Sequence, residues 1–377
     1  MQTPVGYNKL RAAKLMEKYD LDAMLVTSPL NVWYTTGLPM LHSAANPILE
    51  ALSNKYPNFG LIHRSGAVTV FHWVAFMAES VEAFCWADDS VALFSKDMVA
   101  DTLAGELEDR GLAGKRVGIE TDAPVYVLDA LNESDLDLQV QRCDDVLNEL
   151  RLVKSAEELA RLARAAEITQ AVLDKCLGFL REGVTDLELI QFARDEMLKA
   201  GADDWNHFTI RFGGSDPEAP GTGRKLQRGE IVRLDLGLVY KGYVSDLNIH
   251  AVVGQADQEA KGIMEGLVQL QRACEENVRP GLNMIELGEI VYDWYDENVS
   301  YGSAFLLGHS IGLQVEDFHM FGTVGGADMA FEENMVFEIE TWENYNNALI
   351  GVEDIYVVTA DGCKKLSSLT PGIREIG

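Results

Sequence analysis

Apolar and polar positions alternate most cleanly between residues 231 and 250. The runs Ile-Val-Arg-Leu-Asp-Leu-Gly-Leu-Val-Tyr (231–240) and Tyr-Val-Ser-Asp-Leu-Asn-Ile-His (243–250) flank Lys241-Gly242. That is the pattern of a β-hairpin closed by a two-residue turn. With Lys241 and Gly242 in the turn, Asp235 faces Asn248 and Gly237 faces Asp246. Both aspartates then lie on one sheet face as diagonal neighbours, about 7 Å apart or less. Leu234, Leu236, Leu238, Leu247 and Ile249 make the opposite face an apolar surface that holds the register. Two carboxylates so placed repel unless a cation lies between them.

Patterns elsewhere divide the chain. Through roughly the first 145 residues, helix-like and strand-like segments alternate (Lys9–Tyr19, Ala23–Val26, Ala67–Trp73, Val117–Glu120), which predicts an α/β domain over 1–148. The remainder, 149–377, opens with helices. Ser155 with Glu158 and Thr185 with Glu188 are capping boxes, and Asn283 with Glu286 after Pro280-Gly281 reads as a third. Antiparallel strand signals dominate 231–253 and 335–359. The expectation is an α+β second domain in which helices cover a strongly curved antiparallel sheet, with the acidic residues on its concave face.

Three further residues extend the aspartate pair. His309 falls in Leu-Gly-His-Ser-Ile-Gly-Leu, read as a Gly-rich loop that leaves the imidazole room. Glu340 ends the apolar strand Met-Val-Phe-Glu-Ile-Glu, and Glu353 opens Val-Glu-Asp-Ile-Tyr-Val-Val-Thr. Asp235, Asp246, His309, Glu340 and Glu353 form an oxygen-rich set with one imidazole, suited to paired Mn²⁺, Co²⁺, Fe²⁺ or Zn²⁺. Two such ions sit about 3.5–4 Å apart and generate a hydroxide nucleophile.

These motifs resemble the pita-bread metallohydrolases: methionine aminopeptidase, aminopeptidase P, prolidase, and the non-peptidases creatinase, ectoine hydrolase and dimethylsulfoniopropionate lyase. That family's pattern is Asp, a second Asp eleven residues on, a Gly-His-Gly-Ile-Gly-like loop, Glu in a Thr-Ile-Glu-Pro-like strand, and Glu in an Ile-Glu-Asp-like strand. Residues 9–37 resemble the start of the creatinase-type N-terminal domain, and residues 150–166 the helix that opens the pita-bread catalytic domain. The resemblance implies the two-domain prolidase, aminopeptidase P and creatinase branch, Glu340 as the proton shuttle, and a homodimer. His42 and the segment Leu38–Pro47 would then reach a neighbouring subunit's site.

The departures are specific. The peptidases carry a His after a Pro ahead of the first Asp, where this chain has Glu218-Ala219-Pro220-Gly221-Thr222, and no His occurs from Phe208 to Ile249. Glu316 replaces a His seven residues after His309, Gly351 an Arg two residues before the last Glu, and Thr341 a Pro. A peptide-specific shell is thus altered around a retained ligand set. Glu316, His319 and Asp317 are candidates for the changed catalytic shell, with Glu338 an alternative shuttle. His250 lies more than about 10 Å along the strand from Asp246.

The resemblance therefore implies a hydrolase of a C–N bond in a small molecule or Xaa-Pro-type dipeptide. The alternative is a metal-dependent lyase acting on an osmolyte-like substrate, and a lesser one a non-catalytic binding module. Trp33, Tyr34, Trp205 and Trp342 are candidate pocket aromatics for a proline ring or a methylated cation. The net charge of -29 over 377 residues argues against nucleic acid or an anionic membrane as partner. Five scattered cysteines without a CxxC point to a reduced, cytoplasmic protein. The opening Met-Gln-Thr-Pro-Val-Gly-Tyr-Asn-Lys-Leu has no apolar core of signal-peptide length and no run of about 18 apolar residues follows it, so a soluble, unprocessed protein is expected.

Overall fold

The computed structural model describes residues 2–39, 58–212, 221–299, 304–346 and 348–377. His42, most of the Leu38–Pro47 segment, and Glu218-Ala219-Pro220 lie outside the described residues. The chain divides into two compact units, Met1–Leu152 and Val153–Gly377.

In the first unit, strands β1 (Ala23–Val26), β2 (Phe59–His63), β3 (Val68–Trp73), β4 (Asp89–Leu93), β5 (Arg116–Ile119) and β6 (Gln139–Arg142) form one mixed sheet in the order β4-β3-β2-β1-β5-β6. Leu25, Phe59, Leu61, Phe71, Val117 and Leu103 belong to its buried core. Trp33 and Tyr34 are buried in this unit too. Trp33 meets Trp86 edge-on, and the Tyr34 hydroxyl donates to Gly6 O.

The second unit opens with helices α1 (Ala156–Phe179) and α2 (Asp186–Lys199), each closed at its N-terminus by a reciprocal capping box, Ser155 with Glu158 and Thr185 with Glu188. Asn283 caps α3 (Met284–Asn298) differently from the sequence expectation. Its side chain accepts from Ile285 N, so no box with Glu286 forms. Asp257 caps the preceding helix, Gln258–Asn277, by accepting from Ala260 N.

The strands make two five-stranded sheets. One runs β16 (Ile373–Ile376), β10 (Leu247–Val253), β8 (Ile231–Tyr240), β7 (Asp204–Phe212), with β9 (Tyr243–Val244) continuing the hairpin beside β8. The other runs β12 (Phe318–Gly322), β11 (Phe305–Ser310), β13 (Val336–Tyr345), β14 (Ala348–Val358), β15 (Cys363–Lys365). Strand β10 lies beside β14, while α1 packs on β8 and the helix Gln258–Asn277 on β13 and β14. Among the described residues no helix is long and apolar enough to cross a membrane.

The hairpin has the expected register, Asn248 opposite Asp235 and Tyr243 opposite Tyr240. Lys241 (φ 50°) and Gly242 (φ 83°) are both left-handed, as a type I′ turn requires. The returning strand is not continuous, however: it breaks at Ser245-Asp246, which frees Asp246 from the ladder. Leu234, Leu236, Leu238 and Leu247 are fully buried on the opposite face, each worth about 1.5–3 kcal/mol relative to exposure. Two placements differ from expectation. His309 sits in strand β11, paired on both edges, rather than in a Gly-rich loop. Glu340 and Glu353 lie mid-strand as cross-strand partners, because β13 and β14 form one long hairpin in which they meet.

Ser155→Ala should cost about 1 kcal/mol through the lost cap. Leu236→Ala, beneath the aspartates, should cost about 2–5 kcal/mol through the cavity it leaves. Denaturant unfolding of each variant measures both; equal costs would show that the leucine face does not hold the hairpin.

Candidate metal centre

Asp235 and Asp246 project from the hairpin into a buried cluster; their exposures are 5% and 6%. The Thr209 hydroxyl on β7 donates to Asp235 Oδ2. Next to them lies His207, with Nε2 3.0 Å from Asp246 Oδ1 and 3.4 Å from Asp235 Oδ1. Its Nδ1 is 2.9 Å from Asn206 Oδ1. Gly237 makes this possible: a Cβ there would lie 2.3 Å from His207 Cε1 and 2.5 Å from Ser245 O. The glycine between the aspartates is thus the floor on which the imidazole rests.

Strands β11, β13 and β14 supply the other side. His309 pairs with Glu338, Leu307 with Glu340, and Glu340 with Glu353. His309 Nδ1 lies 3.4 Å from Ser310 O and Nε2 lies 3.2 Å from Glu338 Oε2. Asn248 Nδ2 donates to Glu353 Oε2 at 3.1 Å, tying the hairpin to β14. Ligand-capable atoms converge in three groups, each within 4.8 Å: His207, Asp235 and Asp246; His309, Glu340 and Glu353; and Asp246, Glu338 and Glu353. The structure therefore gathers all five residues singled out from the sequence, and adds His207 and Glu338.

An arginine sits among these acids as well. The Arg233 guanidinium, 5% exposed, contacts Asp235 Oδ2 and Glu340 Oε1 at 2.8 Å each. Burial alone would raise the Asp235 carboxyl, but Arg233 and then His207 hold it well below the usual range. Burial pushes Glu340 up to about 8 and Asp246 to about 7, against the opposing pull of Arg233 on the first and of His207 on the second. Burial, reinforced by Asp246 and Glu340, raises Glu353 and Glu338 well above the carboxylate range. Burial lowers His309 to about 4, so its imidazole is neutral and able to ligate. Asp246 Oδ1, both Glu338 oxygens and His309 Nε2 are buried with no hydrogen-bond partner. Orphaned acceptors of this kind beside convergent carboxylates fit divalent cations.

A cavity of about 180 Å³ opens over the cluster, lined in part by His207, Arg233, Glu316, Leu307, Trp342 and Leu349. Glu316 is exposed at this cavity, held at φ 50°, a left-handed geometry unusual for a glutamate. Trp342 also lines it and stacks against Phe305 with centroids 4.2 Å apart. Other candidates lie elsewhere. His319 directs Nε2 to Gly325 O at 3.0 Å, and the half-buried Asp317 bonds through its backbone N to Ser310 O. His250, lowered to about 3 by burial, places Nε2 against Leu349 O and Gly351 N. Trp205 packs on Phe208 beneath the Arg194 guanidinium.

The model of metallopeptidase family M24 matches residues 160–360, and that of the creatinase/prolidase N-terminal domain matches residues 9–153. The chain belongs to metallopeptidase family M24. It is 26% identical over 361 residues to an Xaa-Pro dipeptidase of Pyrococcus horikoshii, covering 94% of this chain and 95% of that one. An uncharacterised peptidase of Staphylococcus epidermidis is 26% identical over 364 residues, at 94% and 97% coverage. Among solved structures, the Xaa-Pro dipeptidase from Bacillus anthracis superposes with a TM-score of 0.80 at 21% identity, over 98% of this chain and 100% of that one. The prolidase from Pyrococcus horikoshii superposes at 0.78 with 24% identity, over 96% and 98%. Membership of M24 implies divalent metal ions, in keeping with the orphaned acceptors of this M24 chain.

Glu340 has an ordinary carboxyl value of 4.5, raised to about 8 in the folded, metal-free protein. The native state therefore binds more protons than the unfolded chain in this window. Stability contributed by the protonated form is present below the unfolded value and lost as pH rises toward about 8. Chelator-stripped protein should thus melt at progressively lower temperature from about pH 5 to pH 8, and added divalent metal should reverse the loss. A melting temperature that climbs over that range without metal would contradict the buried-carboxylate picture.

Proposed function

We propose that this M24 chain is a dinuclear metal-dependent hydrolase that cleaves a C–N bond in a small molecule or Xaa-Pro-type dipeptide. In this reading Asp235, Asp246, His309, Glu340 and Glu353 hold two divalent ions, with Mn²⁺, Co²⁺, Fe²⁺ and Zn²⁺ all compatible with the donor set. The observation that carries it is the convergence of buried carboxylates on a neutral His309 whose Nε2, like Asp246 Oδ1, makes no hydrogen bond. The names of the relatives, Xaa-Pro dipeptidases among them, support C–N bond hydrolysis.

Divalent ions held there supply Lewis acidity and a nucleophilic water at neutral pH. The side chains do the remaining work. Glu340, beside the cavity and oriented by Arg233, accepts a proton from the attacking water and delivers it to the leaving nitrogen. Asn248 holds Glu353 and Thr209 holds Asp235, so neither carboxylate swings as charge develops. Leu307, Leu349 and Trp342 form the apolar part of the wall that keeps bulk water away.

The cavity also argues for substrate charge. Among the described residues that line it, Arg233 is the one lysine or arginine, and its guanidinium is committed to Asp235 and Glu340. A substrate carboxylate would meet Glu316 rather than a free cation, so substrates that bring no carboxylate into the cavity are favoured.

Asp246→Ala should remove bound metal, read by elemental analysis, and lower kcat/KM by at least about 10²-fold. A wild type fully active without metal would end the proposal. Parallel assays of Xaa-Pro dipeptides, creatine, ectoine and dimethylsulfoniopropionate should find Ala-Pro and Leu-Pro poor beside Ala-Pro amide, which lacks the carboxylate, and efficient turnover of either free dipeptide would overturn the charge argument. Labelled oxygen from water should enter the product; its absence would indicate elimination instead. Glu316→Gln should improve kcat/KM for carboxylate-bearing substrates by up to about tenfold, equivalent to about 1.4 kcal/mol. Unchanged kinetics would assign Glu316 no part in selectivity.

A further inference from the structure

Two imidazoles approach the acidic cluster from opposite sides, and they are placed alike. His207 on β7 stands opposite Gly237 on β8, two positions from Asp235. His309 on β11 stands opposite Glu338 on β13, two positions from Glu340. Each histidine thus occupies the strand that flanks a carboxylate-bearing strand, opposite the position two residues after Asp235 in one case and two residues before Glu340 in the other. Their ring contacts match as well. In each, Nδ1 faces an amide oxygen, Asn206 Oδ1 at 2.9 Å and Ser310 O at 3.4 Å, and Nε2 faces carboxylates. A histidine that donates one N–H to an oxygen and presents the other nitrogen to acidic groups has the arrangement of a metal ligand.

The same halves appear in the clustering of ligand atoms. His207 converges with Asp235 and Asp246, while His309 converges with Glu340 and Glu353. We propose that His207 is a second imidazole ligand, so that each metal position is built from one imidazole and two carboxylates. The proposal rests on the dinuclear reading given above. Its local basis is separate: the Cβ-free surface of Gly237, which admits the His207 ring at 2.3 Å from where a methyl would stand, and the buried Asp246 Oδ1, which lacks a hydrogen-bond partner although His207 Nε2 is 3.0 Å away. Nε2 therefore approaches Asp246 without the alignment of a hydrogen bond, an approach that a shared cation accommodates.

A nitrogen at each position changes the donor balance. An all-oxygen site favours Mg²⁺ or Mn²⁺, whereas one imidazole per ion moves preference toward Co²⁺, Fe²⁺ and Zn²⁺. His207 would thereby set which metal the second position retains.

The test is titration of the chelator-stripped full chain with Co²⁺ by calorimetry, alongside proton spectra of the Co²⁺-loaded protein. Wild type should bind two ions and show two strongly shifted, solvent-exchangeable imidazole N–H resonances. His207→Gln, close in size, should keep one ion at wild-type affinity, weaken the other at least about tenfold, and lose one resonance. His309→Gln should weaken the opposite ion. His207→Ala, checked for native melting behaviour, provides a second variant should glutamine perturb the fold. Two ions of unchanged affinity in both His207 variants, or a single imidazole resonance in the wild type, would overturn the assignment. A wild type that takes up no Co²⁺ would instead sink the dinuclear reading on which it stands.

Discussion

Carboxylates buried against one another are the constraint around which the second unit is built. Asp235, Asp246, Glu338, Glu340 and Glu353 are each no more than 9% exposed, and unpaired buried charges of one sign cannot persist without compensation. The chain answers in three ways. Arg233 bridges Asp235 and Glu340, His207 and His309 bring imidazoles to the cluster, and the burial-raised carboxyls retain protons when no metal is bound. Rigid positioning of Asp235, Glu338, Glu340 and Glu353 comes from the strands, because a carboxylate on a paired strand cannot relax away from its neighbour as one on a loop could.

This arrangement separates what stabilises the fold from what the site requires. The leucine face of β8 and β10, and the helices packed on β8, β13 and β14, supply apolar burial on one side of each sheet. The other side carries the repulsion. Of the departures from the resembling family's motifs, Glu316 is exposed at the cavity, whereas Gly351 and Thr341 are buried within β14 and β13, and the strands that bear the acidic residues keep their register.

Much of this was legible in the sequence where the signal was local. The Lys241-Gly242 turn and the leucine alternation specify the β8–β10 register within about twenty residues, and Ser155 and Thr185 announce their helices through side chains three positions on. Non-local features were harder to read. Strand β7 has no clean alternation in Asp-Trp-Asn-His-Phe-Thr, and it finds its place by pairing with β8 and packing under α2. For that reason His207, one position before the histidine-free stretch from Phe208, gave no signal of its own; Gly237, with its missing side chain, was the one available clue. His309 read as loop because glycines surround it, whereas pairing on both edges makes it strand. Arg233, two residues before Asp235 on the same strand face, was visible as an alternating polar position, but its partner Glu340 lies 107 residues away.

The hydrogen bond between Asn248 and Glu353 spans 105 residues, and it bears on the order in which the molecule is assembled. Each carboxylate pair lies on a hairpin whose own contacts are short in sequence, so either hairpin can close without the other at small loop entropy. Bringing β10 alongside β14 is the costly, non-local event, and non-local pairing is what slows folding. The acidic cluster comes into existence only at that step, when repulsion is at its greatest and a cation has the most to offer. Ions that occupy the site would therefore act on docking of the two halves rather than on the hairpins themselves, accelerating or trapping the last closure of the chain.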